Sequence, residues 1–408
     1  MRSPSSCAPP AASSHRPAQV PVFRQLLPLA LAVFVGFLTI GLPLPVLPLH
    51  LHDSLGMGTL LVGVVIGAQF AAALLSRAWA GAMADTQGAR RAVTTGFLIA
   101  ASSGLAYLAS LAFVTTPAAA VGLLLLGRVL LGCAESLVVT GALSWGLALV
   151  GPQNAGKVMA WIGVAMYGAY AAGAPAGVAV HAQWGFGGIA VATVLMALLA
   201  LALVAGLGAA APPAMRRTPF YQVLGAVWVP GMGLALSSVG FGVITAFIAL
   251  LFAAREWGNA SLAFTCFGLA FIGARLLFGH LPDQLGGARI ALVCVVIEAM
   301  GQLLIWGADS APLAYLGAAL TGFGYSLAFP GFGVEAVRRA PPQSRGAAMG
   351  AYVAFMDISL GITGPAAGAI AGAWSVESVY LMGALAVGLS LLVAVRLLAS
   401  PGREVRHA

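Results

Sequence analysis

The chain has 408 residues, 61% of them apolar and only 7% charged, with a formal net charge of +8. A soluble domain carries roughly 25% charged residues, and a soluble fold of this length has no means of covering its surface with so few. Composition excludes a soluble globular protein and requires an integral membrane protein.

In chain order, residues 1–24 are rich in Ser, Pro and Ala, lack an apolar core, and are expected to form a disordered cytosolic tail. The first apolar run is too long and too late for a cleaved signal peptide. Apolar stretches of about 20 residues follow, each long enough to cross about 30 Å of hydrocarbon. They predict helices near 26–49, 59–83, 92–113, 118–148, 157–180 and 188–208. After a break at 209–221 come helices near 222–252, 260–281, 289–308, 312–335, 346–370 and 377–398. The break is the one internal stretch rich in both Pro and charge. It reads as a cytoplasmic linker between a first bundle over 25–208 and a second over 222–398, with 399–408 a second tail. The expected fold class is an all-α membrane protein with twelve transmembrane helices in two pseudo-symmetric six-helix bundles. The 53 glycines and abundant Ala fit helices that approach closely in lipid, where small residues are favoured.

The basic residues orient these spans. Arg2, Arg16 and Arg24 precede the first helix; Arg90, Arg91, Lys157, Arg216, Arg217, Arg289, Arg338, Arg339 and Arg345 fall in even-numbered loops; Arg396, Arg403 and Arg406 follow the last helix. The odd-numbered loops hold only Arg255. This asymmetry predicts an inner-membrane protein with both termini and all even loops in the cytoplasm. The net charge therefore reflects topology and not nucleic-acid binding, since no basic stripe carries interleaved aromatics. Cys7, Cys133, Cys266 and Cys294 have no ligand spacing, and none falls in a periplasmic loop. No phosphate-binding Gly-x-x-x-x-Gly-Lys-Ser/Thr is present, so ATP is not the expected energy source. No cofactor is called for, and no catalytic constellation marks an enzyme.

One pattern occurs twice: Arg77-xxx-Gly81-xxx-Asp85-xx-Gly88 and Arg275-xxx-Gly279-xxx-Asp283-xx-Gly286, 198 positions apart. Pro152-Gln-Asn-Ala-Gly156 and Pro342-Gln-Ser-Arg-Gly346 follow at an offset of 190, which Pro175 and Pro365 share. The chain is two versions of one helical unit, and internal duplication of an apolar chain points to a transporter built from two halves.

The loop Gly81-Ala-Met-Ala-Asp85-Thr-Gln-Gly88-Ala-Arg90-Arg91 resembles the signature between helices 2 and 3 of the major facilitator superfamily. Gly127-Arg128-Val-Leu-Leu-Gly132-Cys-Ala-Glu135 is similar to that superfamily's helix-4 motif, and Gly173-Ala-Pro175 is a loose match to its helix-5 Gly-Pro motif. The wording of the motifs is closest to the bacterial exporter-like group labelled arabinose or drug efflux. Three departures stand out. Thr86 replaces the usual basic residue, Gly286-Gly287 displaces the second-copy Arg to Arg289, and the intact Gly-Pro pair is Gly364-Pro365 in helix 11. The resemblance implies a monomeric secondary transporter working by alternating access on a small organic solute. Proton-coupled export is preferred. Proton-symport uptake is the alternative within the class, and a non-transporting sensor or membrane enzyme the alternative outside it.

Two readings stand for each candidate residue. The signature loops, with Arg77, Gly81, Asp85, Gly88 and Arg90 and then Arg275, Gly279, Asp283 and Gly286, form either a cytoplasmic latch against the starts of helices 11 and 5 or a folding and topology signal. Asp85 and Asp283 are placed just past helix ends, facing another helix N-terminus. Arg128, about ten residues into helix 4, is costly in the bilayer. It and Glu135, two turns on, serve substrate recognition and proton coupling, or pin helix 4; a direct pair between them is not expected, because helical side chains lean toward the N-terminus. Asp357, near mid-depth in helix 11, reads as an unpaired carboxyl suited to proton coupling, or as a protonated group bonding a neighbouring helix. Gln69, Tyr167, Tyr170 and Tyr325 are possible cavity-lining groups. Glu298 reads as an interhelical bond with Gln302 one turn on, Glu335 as a partner of Arg338 or Arg339, and His280 as packed beside the second loop. His50, His52 and Asp53 diverge along a helix, so no metal site is expected.

Overall fold

A computed structural model describes residues 22–208, 220–340 and 345–400, and these residues are helical with no strand. The expected 1–24 tail except its last three residues, the linker core 209–219, Pro342–Ser344 and residues 401–408 lie outside them. In the first half α1 is Val22–Gly41, α2 Thr59–Thr86, α3 Ala89–Ser110 and α4 Pro117–Val150. One helical run of 51 residues, Ala155–Ala205, breaks at Gly185 (φ 61°), giving α5 over 155–184 and α6 over 186–205. The second half holds α7 (Phe220–Ala254), α8 (Ser261–Phe278), α9 (Gly287–Trp306), α10 (Ala311–Arg339), α11 (Arg345–Ala373) and α12 (Ser378–Ala399). Among the described residues ten helices are long and apolar enough to cross a bilayer, the 51-residue run counting as one. At 1.5 Å per residue that run is about 75 Å long, more than two hydrocarbon thicknesses.

Three local expectations are corrected. The first helix stops at Gly41, not near 49, because Pro43, Pro45 and Pro48 lack the N–H donors that would continue it; one turn of π-helix follows at His50–Ser54. α2 runs to Thr86, so Asp85 lies inside the last turn and not beyond it. Asp283 is likewise inside a short helix, Leu281–Leu285, and His280, expected to be packed, is exposed at its start. The turns behind both aspartates are alike. Gly88 has φ 93° and Gly286 φ 95°, a region closed to most L side chains, and a Cβ at either would touch nothing; backbone angle, not space, demands glycine there.

The helix pairings repeat with a shift of six. α1 packs on α5 and α7 on α11; α2 on α4 and α8 on α10; α3 on α4 and α6, α9 on α10 and α12. The halves join along two seams, α2 with α11 and α5 with α8. α7 is central, with 89% of its most apolar stretch buried against 33–56% in the other nine candidate spans.

The seams close toward the end of the molecule opposite the signature loops. A Cβ on Gly63 would lie 2.0 Å from the Gly364 carbonyl, and one on Gly368 2.4 Å from that of Thr59. Residues 39–48 of α1 and the turn after it, and 244–252 of α7, are buried on every face, as only elements enclosed by others can be. At the signature-loop end Asp283 is exposed, and a side chain at Gly156 would meet nothing. The side chains of residues 345–347, opposite Asp85, are outside the described set.

Candidate functional site

Charged side chains inside an apolar bundle mark the site, because each must be partnered or face a wet cavity. α2 supplies Gln69 and Arg77, two turns apart on one face. α4 supplies Arg128 and Glu135, and α11 supplies Asp357. Gln69 Nε2 donates to Glu135 Oε2 at 2.7 Å. The approach is close because Gly132 lets α4 lie against the Gln69 backbone; a Cβ there would be 2.0 Å from the Gln69 carbonyl oxygen. Glu135 also borders a small pocket lined by Thr39, Phe97, Leu131 and Val138.

Asp357 is not isolated, which corrects the sequence reading. Arg77 forms an ion pair with it across the halves, its Nε donating to Oδ2 at 2.7 Å. The partner is 280 positions away on the other bundle, so depth and spacing within helix 11 gave no sign of it. Arg77, placed with the latch by its sequence position, thus joins the intramembrane cluster. Glu135 is an electrostatic neighbour of Asp357, Arg77 and Arg128.

Arg128 is 1% exposed, and its Nε, Nη1 and Nη2 have no hydrogen-bond partner among the described residues. As expected, it does not pair with Glu135. Tyr170 is an electrostatic neighbour of both.

The repeat places Arg275 where Arg77 stands, and Tyr167 where Asp357 stands, since 357 and 167 differ by the same 190 as Pro365 and Pro175. Arg275 donates to the Ser326 carbonyl at 2.8 Å and lies over the Phe271 ring at 5.3 Å. Tyr167 stacks on that same ring with centroids 3.7 Å apart. One seam is clasped by an ion pair, and its symmetry mate by ring stacking. Around Tyr167 gather Tyr170, Phe241, Phe267 and Tyr325, linking α5 of the first half to α7, α8 and α10 of the second. The two tyrosines of α5 and Tyr325 were singled out in the sequence. The phenylalanines were missed, although Phe267 and Phe271, four apart on α8, share one helical face.

Other candidates fall outside this site. Glu298 accepts from Ser237 at 2.6 Å, and Gln302 donates to Thr321 at 3.1 Å, interhelical bonds inside the second bundle. Glu335 pairs with both Arg338 and Arg339. Arg90 donates to the Ala205 carbonyl at 2.8 Å, a contact within its own half. Gly173 packs on Gly41 of α1, and Pro175 stays inside a helical run. Gly364 and Pro365 sit on the α2–α11 seam, where they touch Gly63 and Gly67.

A family model described as Major Facilitator Superfamily matches residues 29–255 and 231–407. The chain belongs to the major facilitator superfamily. A relative from Pseudomonas aeruginosa PAO1, named an uncharacterized MFS-type transporter, is 47% identical over 388 residues, covering 95% of this chain and 96% of its own. One of the same description from Salmonella typhimurium LT2 is 43% identical over 375 residues, covering 92% and 95%. Among solved structures, a variant of the nucleoside transporter NupG superposes with TM-score 0.73 at 14% identity, covering 92% of this chain and 99% of its own. The human organic anion transporter MFSD10 superposes with TM-score 0.68 at 17% identity, covering 92% and 100%. At such identities the structures speak for the fold alone. As a superfamily member the protein is a multi-pass membrane transporter of small-molecule solutes.

Proposed function

We propose that this major facilitator transporter exports a small organic solute across the inner membrane in exchange for protons, as a monomer with both termini in the cytoplasm and without ATP. The two halves, 25–208 and 222–398, rock about the seams α2–α11 and α5–α8. The observation that carries the coupling is the placement of Glu135. It is a carboxyl inside an apolar bundle, held by the neutral amide of Gln69 and not by a cation, with Arg128 and the Arg77–Asp357 pair as electrostatic neighbours. A carboxyl so placed exchanges its proton when access switches sides, whereas Asp357 is committed to Arg77. The loops at Asp85 and Asp283 are the latch that closes the cytoplasmic mouth in the outward-open state.

Solute accumulation in a strain overproducing the protein, compared with its deletion strain with and without a protonophore, tests this. The overproducer accumulates less of the transported solute, and the protonophore abolishes the difference. Glu135→Gln retains solute exchange and loses uphill transport. A protonophore-insensitive difference, or normal uphill transport by Glu135→Gln, removes the coupling model.

A further inference from the structure

The geometry points to a substrate class. The solute is a small organic anion with a flat aromatic portion, its anionic oxygens on Arg128 and its plane against the ring cluster that begins at Tyr170 and Tyr167. This rests on the transporter reading above and deepens it.

The anion follows from the fate of every nearby acid. Arg128 is buried with all three guanidinium nitrogens unpartnered among the described residues. Its neighbour Glu135 accepts from Gln69 at 2.7 Å, and Asp357, across the seam, is held by Arg77. Glu298 and Glu335, also buried, are engaged inside the second half, the first by Ser237 and the second by Arg338 and Arg339. Arg128 thus holds a charge in a low-dielectric site with no acid hydrogen-bonded to it among the described residues. A guanidinium presents a planar fork of donors that matches a carboxylate or phosphonate bidentately. Gln69 Oε1, also buried without a partner, is an acceptor beside the same site for a hydroxyl or amide on the solute.

The aromatic portion follows from what adjoins the fork. Tyr170, the electrostatic neighbour of Arg128, stacks toward Phe241 at 5.9 Å, and Tyr167 meets Tyr170 edge-on at 5.6 Å. Phe241, Phe267, Phe271 and Tyr325 are buried on one another, while Tyr167 is only half-buried. Tyr167 is therefore the ring of this cluster with surface left for a solute. Flat faces at offset-stacking and edge distances favour a planar partner over a puckered one. A cationic solute would meet the charge of the Arg128 guanidinium.

Purified full-length protein is titrated with four probes of similar size: benzoate, cyclohexanecarboxylate, benzamide and benzylammonium. Binding is read from ligand-induced thermal stabilisation, which scales with affinity. Benzoate stabilises most, cyclohexanecarboxylate several-fold more weakly, and benzamide and benzylammonium not measurably. Arg128→Gln weakens benzoate about ten- to a hundredfold, as expected for loss of charged hydrogen bonds. Tyr167→Leu instead removes the preference for benzoate over cyclohexanecarboxylate and keeps both as ligands. If Arg128→Gln does not fold, the probe panel on the wild type and the Tyr167→Leu variant decide. The inference is overturned by stabilisation from benzylammonium or benzamide equal to that from benzoate, by benzoate binding unchanged in Arg128→Gln, or by no binding of any probe at millimolar concentration. Protonophore-sensitive export of a cation, with no anion binding, would defeat this inference and leave the transporter reading standing. Anion binding without protonophore-sensitive export would do the reverse.

Discussion

Arg77 and Asp357 are unequal partners, the arginine side chain 23% exposed and the aspartate 4%. Removing one member of a buried pair typically costs about 3–5 kcal/mol, and the partial exposure of Arg77 puts this one at the low end. Asp357→Asn and Arg77→Gln should each lower thermal stability, and the swap Arg77→Asp with Asp357→Arg should recover both stability and uphill transport. Recovered stability without transport would return the proton to Asp357. His50, outside the spans, stacks on Phe186 with centroids 4.1 Å apart. Burial first, and His181 second, push its pKa down to about 4. Folded His50 thus stays neutral where the unfolded residue protonates. Its contribution is complete above about pH 6.5 and is lost as pH falls toward 4, reaching about 2 kcal/mol at pH 5. Thermal unfolding at pH 7 and pH 5 should show a smaller acid loss in His50→Phe than in the wild type; equal losses would mean that the ring is solvated. The burial cost of Arg128 and Glu135 was legible because a charge in an apolar helix needs a reason. The Arg77–Asp357 pair was not, because its members sit on different bundles.

At the scale of helices, the seams explain a pattern that the sequence displayed without interpretation. Gly63 and Gly67 on α2 face Gly364 and Gly361 on α11, and Gly368 faces Thr59 and Leu60, with spacings of three and four that put each set on one helical face. The other seam is closed by Gly268 against Tyr167 and Ala171, with Thr265 donating to the Ala171 carbonyl at 2.8 Å. Gly63→Leu would force a side chain into the Gly364 backbone. Overpacking of this kind costs about 1–3 kcal/mol, enough to shift a two-state balance at least about five-fold. Spin labels at the far ends of α2 and α11 should then report a longer distance than in the wild type. An unchanged distribution in folded protein would show that the seam does not govern opening. Helix ends were less legible than helix centres. Proline stopped α1 early, whereas the break at Gly185 falls inside the gap expected between helices near 157–180 and 188–208.

For the whole molecule, the charge asymmetry sets a topology that the packing alone does not orient. Single cysteines replacing Arg217 and Arg255, in a background without the four native cysteines, should label from opposite sides, with position 217 cytoplasmic. Labelling of both from one side would remove the twelve-span arrangement. Arg255 is itself engaged, donating to Glu377 at 2.8 Å, so its substitution also tests whether that surface pair matters to folding; exposed pairs are worth about 0–1 kcal/mol, and no large loss is expected.

The sequence by itself determined the solvent, the repeat and the bundle class. Apolarity over lengths of about 20 residues has one physical solution in lipid, the helix, and a duplicated motif order has one simple origin. It also marked which polar residues carry a burial cost, since that cost depends only on residue type and depth. Only the tertiary structure decided who partners whom: Arg77 with Asp357, Gln69 with Glu135, Arg275 and Tyr167 both with the ring of Phe271, and Arg128 with no residue described. Those pairings join positions up to 280 residues apart and depend on how the two halves are rotated about their seams. Local spacing carries no information about that rotation, because it is a property of the packed interface and not of any one helix.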